Sequence, residues 1–320
     1  MNEQPAANYD TPWKEALQQY FEPFLSFFFP KVHALIDWGQ PPESLDKELE
    51  QILRQADSGE RVADKLFKVW LLDGKTTWVL VHVEVQSQYN SDFAKRIYQY
   101  SYRAFDLYEQ PVISLAVLGD KGANWRPKSY GYALGGCKLK LKFPIVKLLD
   151  YQAKWQNLEK STNPFAIMTM AHLTTMMTQG KPQMRQQGKW ELVRRLLEKG
   201  YDQEDIRKLF RAIDWMMTLP EELQQSFEEQ LSSYQKERQM PLLSHMEIRG
   251  MQRGIEQGAV QNAHECLLEV LTVRFEVVPP EVIEAINQIK DVSVLKQLHR
   301  QAITISSMVE FQQLLSHASD

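Results

Sequence analysis

The stretch from Val62 to Gln86 constrains this chain more than any other. It reads V-A-D-K-L-F-K-V-W, turns at Asp73-Gly74-Lys75, and resumes as W-V-L-V-H-V-E-V-Q. Two apolar-rich runs on either side of a D-G pair predict two antiparallel strands joined by a hairpin. Period-two alternation puts Val79, Val81, Val83 and Val85 on one face of the second strand, and Leu80, His82, Glu84 and Gln86 on the other. Asp64 opens the first strand and Glu84 lies near the end of the second, so the hairpin returns both acids to one end of a sheet. Two carboxylates and an amide gathered at strand ends suit a hard divalent cation such as Mg²⁺.

That order of residues resembles the PD-(D/E)XK nuclease superfamily. Its signature is an Asp at the start of one strand, then an acid, any residue and Lys at the end of the next. Asp64 and Glu84 stand at the acid positions, and Gln86 stands where Lys is usual. The E-x-Q form, followed by a helix with Arg96 and Tyr100, is similar to the recombination-promoting nuclease (Rpn), transposase-like branch. The resemblance covers most of the chain, from Asp10 and Lys14 to a helical tail and a small C-terminal domain. It implies an α/β fold with a restriction-endonuclease-like mixed sheet flanked by helices, followed by an all-helical C-terminal region. It also implies a metal-dependent DNA endonuclease, linked to recombination or mobile-element biology. Asp64, Glu84 and the main-chain carbonyl of Val85 would hold Mg²⁺ or Mn²⁺, with Gln86 the third catalytic position. Asp10, Glu15, Arg96 and Tyr100 are implied as further site or phosphate contacts.

Gln86 departs from the family pattern. Its amide orients a water but carries no charge and is no base at neutral pH. Lys65, Lys68 and Lys95 are candidate replacements for the missing cation, although strand parity sets Lys65 opposite Asp64. The alternative is a nuclease-fold protein that has lost catalysis and acts as a DNA-binding or protein-interaction module. A third reading is a helical assembly protein.

Each candidate has a plainer role to weigh. Asp10 before Thr11-Pro12 reads first as a helix cap. Glu15 reads as a solvated helix residue and His82 as a satisfied core histidine. Arg96 and Tyr100, four apart on one helix face, serve a helix–sheet contact as well as they serve a site. Lys138, Lys140 and Lys142 alternate with Leu139, Leu141 and Phe143; protection of an edge strand is preferred over a phosphate-contacting stripe.

Elsewhere the pattern predicts helices from about Pro12 towards Phe21, Pro42 to Arg54, and Ser91 or Asp92 to Tyr108. Buried apolar character predicts a strand at Val112 to Leu118. Tyr130 to Leu134 and Lys138 to Phe143 read as further strands split by Gly135-Gly136. After Asn163 only helices are predicted, with Asp202 and Asp205 marking one capped start. Residues 1–155 read as the nuclease-like core, 156–240 as a helical region, 241–262 as a Gly-repeat helical linker and 263–320 as a small helical domain. Gly250, Gly254 and Gly258 share one helix face, which predicts a homo-oligomer formed by close helix pairing. The charged residues between them exclude a membrane span.

Composition narrows the partners. The net charge is −4, from 37 basic and 41 acidic residues. A small constitutive nucleic-acid binder is usually basic, so any DNA contact must use a local patch or a metal. The two cysteines, Cys137 and Cys266, form no disulfide framework or zinc spacing. They and an N-terminus without an apolar leader fit a cytoplasmic protein. No P-loop, H-E-x-x-H or G-x-S-x-G motif is present.

Overall fold

The structure, a computed structural model, describes residues 9–46, 63–72, 78–238, 245–275, 278–289, 291–305 and 307–318. Two compact units divide the chain, Met1–Met240 and Pro241–Asp320.

The first unit is built on a five-stranded mixed sheet in the order β1-β2-β3-β4-β7. Strands β2 (Ala63–Trp70) and β3 (Trp78–Gln86) pair antiparallel along their whole length. The predicted turn at Asp73-Gly74-Lys75 lies outside the described residues. From β3 the chain passes through α4 (Phe93–Tyr108) to β4 (Val112–Leu118), which lies parallel to β3. A parallel partner requires such a crossover, because a tight hairpin can join only antiparallel strands. Strand β1 (Glu43–Ser44) adds to β2, and β7 (Ile145–Lys147) adds parallel to β4.

Several expectations are corrected here. Strands β5 (Ser129–Leu134) and β6 (Cys137–Lys142) exist, but they form a separate two-stranded sheet. Gly135 and Gly136 turn the chain between them with φ of 56° and 84°, the backbone that a tight two-residue hairpin turn demands. The fifth core strand is instead β7, whose three residues are too few to show a period. Within the predicted Pro42–Arg54 helix, Glu43 and Ser44 pair with β2, and residues 47–54 lie outside the described residues. The first helix, α1 (Asp10–Gln19), begins at Asp10 rather than Pro12. Tyr9 precedes it and no side chain caps it, so Asp10 is not the cap.

Helices α2 (Phe21–Phe28) and α3 (Pro30–His33) follow α1. Phe21 stacks on Phe67 of β2 with ring centres 3.9 Å apart. Phe24 and Phe28 meet Phe165 at 5.1 and 5.8 Å, so the aromatic cluster ties the sheet to the helical layer. That layer comprises α5 (Trp155–Lys160), α6 (Pro164–Met177), α7 (Pro182–Glu198), α8 (Gln203–Met216) and α9 (Glu221–Glu237). Helix α6 is apolar all round and is buried from Phe165 to Met176, as such a helix must be. Asn163 caps its start by accepting from the Phe165 N–H at 2.9 Å. Buried Arg185 donates to the Thr175 carbonyl at 3.0 Å near its end, satisfying a carbonyl near the terminus. Asp202 caps α8 by accepting from the Asp205 N–H at 2.7 Å.

The second unit contains α10 (His245–Phe275), α11 (Pro280–Gln288), α12 (Val292–Thr304) and α13 (Met308–Ala318). Leu267, Leu271, Ile286, Leu298 and Phe311 form its core. Helix α10 runs unbroken through Gly250, Gly254 and Gly258, so the glycine segment and the stretch after His264 are one element. Among the described residues no helix is long and apolar enough to cross a membrane.

Candidate functional site

The pairing of β2 with β3 sets Asp64 directly opposite Glu84. Residues directly opposed in an antiparallel pair share a sheet face. Leu66 and His82 form the next pair on that face, and Gln86 joins them by strand parity. The side chains of Asp64 and Glu84 lie outside the described residues. Strand β4 extends the rows, with Ser114 beside His82, Ala116 beside Glu84 and Leu118 beside Gln86.

Helix α4 covers this face. Its Phe93, Arg96, Ile97, Tyr100 and Ala104 are buried, against Leu66 in one cluster and Ala116 and Leu118 in another. Arg96 donates to the Gln86 amide oxygen at 2.5 Å, and each residue is only 6% exposed. A positive charge therefore does reach position 86, supplied by the next helix rather than by the strand. The lysines named from sequence do not supply it. Lys65 lies on the other face, paired with Asp46 at 2.5 Å and bonded to Gln18 at 3.3 Å. Lys68 pairs with Glu43 at 3.0 Å, and Lys95 is exposed.

The Tyr100 and His82 rings meet nearly at right angles with centres 5.5 Å apart, which makes Tyr100 part of the helix–sheet packing. His82 is buried, as expected of a core histidine, but neither ring nitrogen has a partner among the described residues. The Ser114 hydroxyl beside it is likewise buried and unpartnered. Burial, with the nearby Arg96 charge, pushes His82 down to about 3, so its ring is neutral near pH 7.

The first helix does not stand beside these residues. Helix α1 meets the opposite face of β2, where Gln18 bonds Lys65. Glu15 is not a free solvated acid: it pairs with Arg211 of α8 at 2.5 Å. Asp10 begins the same helix, and its side chain lies outside the described residues. Glu15 does not join the Asp64–Glu84 face: its partner Arg211 belongs to the helical layer. Val85 buries its side chain on the α1 side. The Gln86 carbonyl accepts from the Gly119 N–H at 2.8 Å, and alternation along the strand turns the Val85 carbonyl the other way, towards β2.

A buried ion pair that no sequence spacing signals lies at the same end of the sheet. Lys147 of β7 bonds Asp120, just beyond β4, and both are buried. The Lys147 ammonium also lies 5.5 Å from the Trp125 ring centre. Gly119 itself is held by His172, whose Nε2 donates to its carbonyl at 2.8 Å. A Cβ at this position would come within 2.6 Å of the His172 ring.

Registered carboxylates with an amide on one face fit a hard, oxygen-seeking divalent cation. The Gln86 oxygen keeps one lone pair beyond the bond from Arg96. Among the described residues, no three His, Cys, Asp or Glu side chains gather as a metal site. The chain matches no protein-family model, no curated protein and no solved structure.

Proposed function

We propose that the chain is a metal-dependent DNA endonuclease of the PD-(D/E)XK type, similar to the recombination-promoting nucleases, with a restriction-endonuclease-like core. The observation that carries this reading is the direct pairing of Asp64 with Glu84 on the face that also bears the Arg96–Gln86 bond. Asp64, Glu84 and the Val85 carbonyl would hold Mg²⁺ or Mn²⁺. Such an ion supplies Lewis acidity and an activated water for phosphodiester hydrolysis. Gln86 orients the attacking water through its amide. Arg96 fixes that amide and contributes fixed positive charge where the phosphate gains negative charge, a role whose loss costs on the order of 10²–10³ in rate.

A second reading, a DNA-binding or protein-interaction module without catalysis, draws on the deep burial of both Gln86 and Arg96. Plasmid nicking separates the two. Supercoiled DNA is incubated with the full chain and Mg²⁺, Mn²⁺, Ca²⁺ or chelator. Nicking is expected with Mg²⁺ and Mn²⁺ and absent with chelator. Asp64→Ala and Glu84→Ala are expected to reduce it to background while circular dichroism stays that of wild type. Folded Asp64→Ala protein that nicks as well as wild type removes the site assignment.

A further inference from the structure

Under α4, three polar atoms are shut away from water with nothing to bond. Both ring nitrogens of His82 and the Ser114 hydroxyl lack a partner, and the two residues are only 1% and 4% exposed. The parallel pairing of β3 with β4 sets them side by side. A buried polar group left unbonded costs about 1–3 kcal/mol, so each one calls for a reason such as an ion, a water or a role in chemistry. The contrast with His172 is direct. That ring is equally buried, yet it uses both nitrogens, one with the Trp13 indole at 3.3 Å and one with the Gly119 carbonyl at 2.8 Å.

The unbonded ring stands on the face of the acid pair. His82 pairs with Leu66, the next same-face pair along the ladder from Asp64 and Glu84. It precedes Glu84 by two residues, about 6.7 Å along the strand, so an imidazole and a carboxylate rise from one side of β3 as neighbours. Nothing else beside His82 takes up its nitrogens. Leu66 brings no polar side-chain atom, and the Tyr100 ring packs against the imidazole. Gln86 stands equally far from Glu84 on the other side, and its oxygen already accepts from Arg96 at 2.5 Å. Of the two residues that flank Glu84 on this face, His82 is therefore the one with an uncommitted donor atom.

We propose that His82 is a nitrogen ligand of the cation held by Asp64 and Glu84, and that it makes the site select a first-row transition ion such as Mn²⁺ over Mg²⁺. The inference rests on the reading of the acid pair as a metal site, but it does not need hydrolysis. Mg²⁺ takes oxygen ligands and keeps several of its waters, whereas imidazole suits first-row transition ions. One ring nitrogen of His82 ligates, and the other reaches the Ser114 hydroxyl through a water. Such an outer bond fixes the tautomer of a ligating histidine. All three unbonded atoms then have partners. A buried water by itself would also satisfy them, but it would give His82 no say in which ion is held.

The test is electron paramagnetic resonance of Mn²⁺ titrated into the full chain, with Mg²⁺ as competitor. Wild type is expected to hold Mn²⁺ about tenfold more tightly than Mg²⁺, and its spin-echo spectrum should show coupling to an imidazole nitrogen. His82→Leu should lose that coupling and weaken Mn²⁺ about tenfold, while Mg²⁺ affinity changes by less than about threefold. In chelator, the melting temperature of His82→Leu should equal or exceed that of wild type, because no hydrogen bond is lost with the ring. Asp64→Ala should also abolish the coupling, which ties the ion to the acid pair. His82→Asn repeats the metal measurements if the Leu variant misfolds. Mn²⁺ bound without nitrogen coupling overturns the proposal and leaves the acid-pair site standing. So does equal affinity for the two ions in wild type. Coupling that survives in the His82 variants belongs to another of the 7 histidines and overturns it as well. An ion bound with the expected coupling in a chain that never nicks plasmid supports the proposal and removes the nuclease. Failure of Mn²⁺ and Mg²⁺ alike to bind removes both.

Discussion

Gln86 and Arg96 form the smallest unit on which the proposed function turns. The pattern of the proposed family has a cation at the position of Gln86, and here a neutral amide holds a guanidinium in a site that is almost dry. Restoring Lys at that position therefore differs from restoring the pattern. Gln86→Lys would set an ammonium beside Arg96 with little water to screen them, and like charges in such a place disfavour each other strongly. We expect Gln86→Lys to lower the melting temperature clearly. Gln86→Lys with Arg96→Gln should recover most of the loss, because one cation and one amide again share the site. Thermal denaturation of the two single variants and the double variant measures the coupling. Additive losses would show that the two positions do not form one electrostatic unit.

At the scale of elements, the close approach of α6 and α7 has a definite price in volume. Gly188 lies where an added Cβ would meet the Thr174 methyl at 2.5 Å, and Thr174 is buried. Gly188→Ala is expected to destabilise by about 1–3 kcal/mol despite the better helix propensity of Ala, since overpacking a dense interior costs that much. Adding Thr174→Ser removes the clashing methyl and should return part of the loss; urea unfolding of both variants checks it. Sequence alone showed Gly188 only as one residue of a helix. The elements themselves were more legible. The β2–β3 pair and β4 could be read because a buried sheet face forces period two or a continuous apolar run. Asp202 could be read as a cap because the signal is local. Sheet membership was not legible: the alternation of β5 and β6 says which residues face together, not which strand lies alongside. Strand β7 was too short to signal itself. The facing of Asp64 and Glu84 followed from hairpin geometry, but the bonds of Glu15 to Arg211 and Lys147 to Asp120 join residues far apart in sequence, and that of Gln86 to Arg96 depends on how α4 packs on the sheet. No spacing rule encodes such bonds.

For the molecule as a whole, the buried histidines contribute to the response to acid. His172 lies in the interior of the first unit, accepting from the Trp13 indole N–H at 3.3 Å and donating to the Gly119 carbonyl at 2.8 Å. Burial depresses it from 6.5 to about 4, against smaller opposing effects from the Gly119 hydrogen bond and the Asp120 charge. A depressed histidine stays neutral in the folded chain while the unfolded chain takes up a proton below about 6.5. The contribution of His172 to stability is therefore full above that pH and declines as pH falls towards about 4, by an amount of order 3 kcal/mol for a shift of this size. Melting temperatures measured across that window should fall with pH. His172→Gln, which retains one donor and one acceptor, should be less stable near neutrality and show a flatter profile. A wild-type profile that is flat between those limits would contradict the assignment.

The crossover helix α4 has two working sides. Arg96, Ile97 and Tyr100 grip the sheet, while Tyr98, Tyr102 and Phe105 form a wall of an outer groove that Leu139 and Leu141 of β6 also line. Both sets sit on one continuous helix, with Phe105 nine residues, about two and a half turns, beyond Arg96, so a displacement of α4 as a rigid body would also move the contact at Gln86.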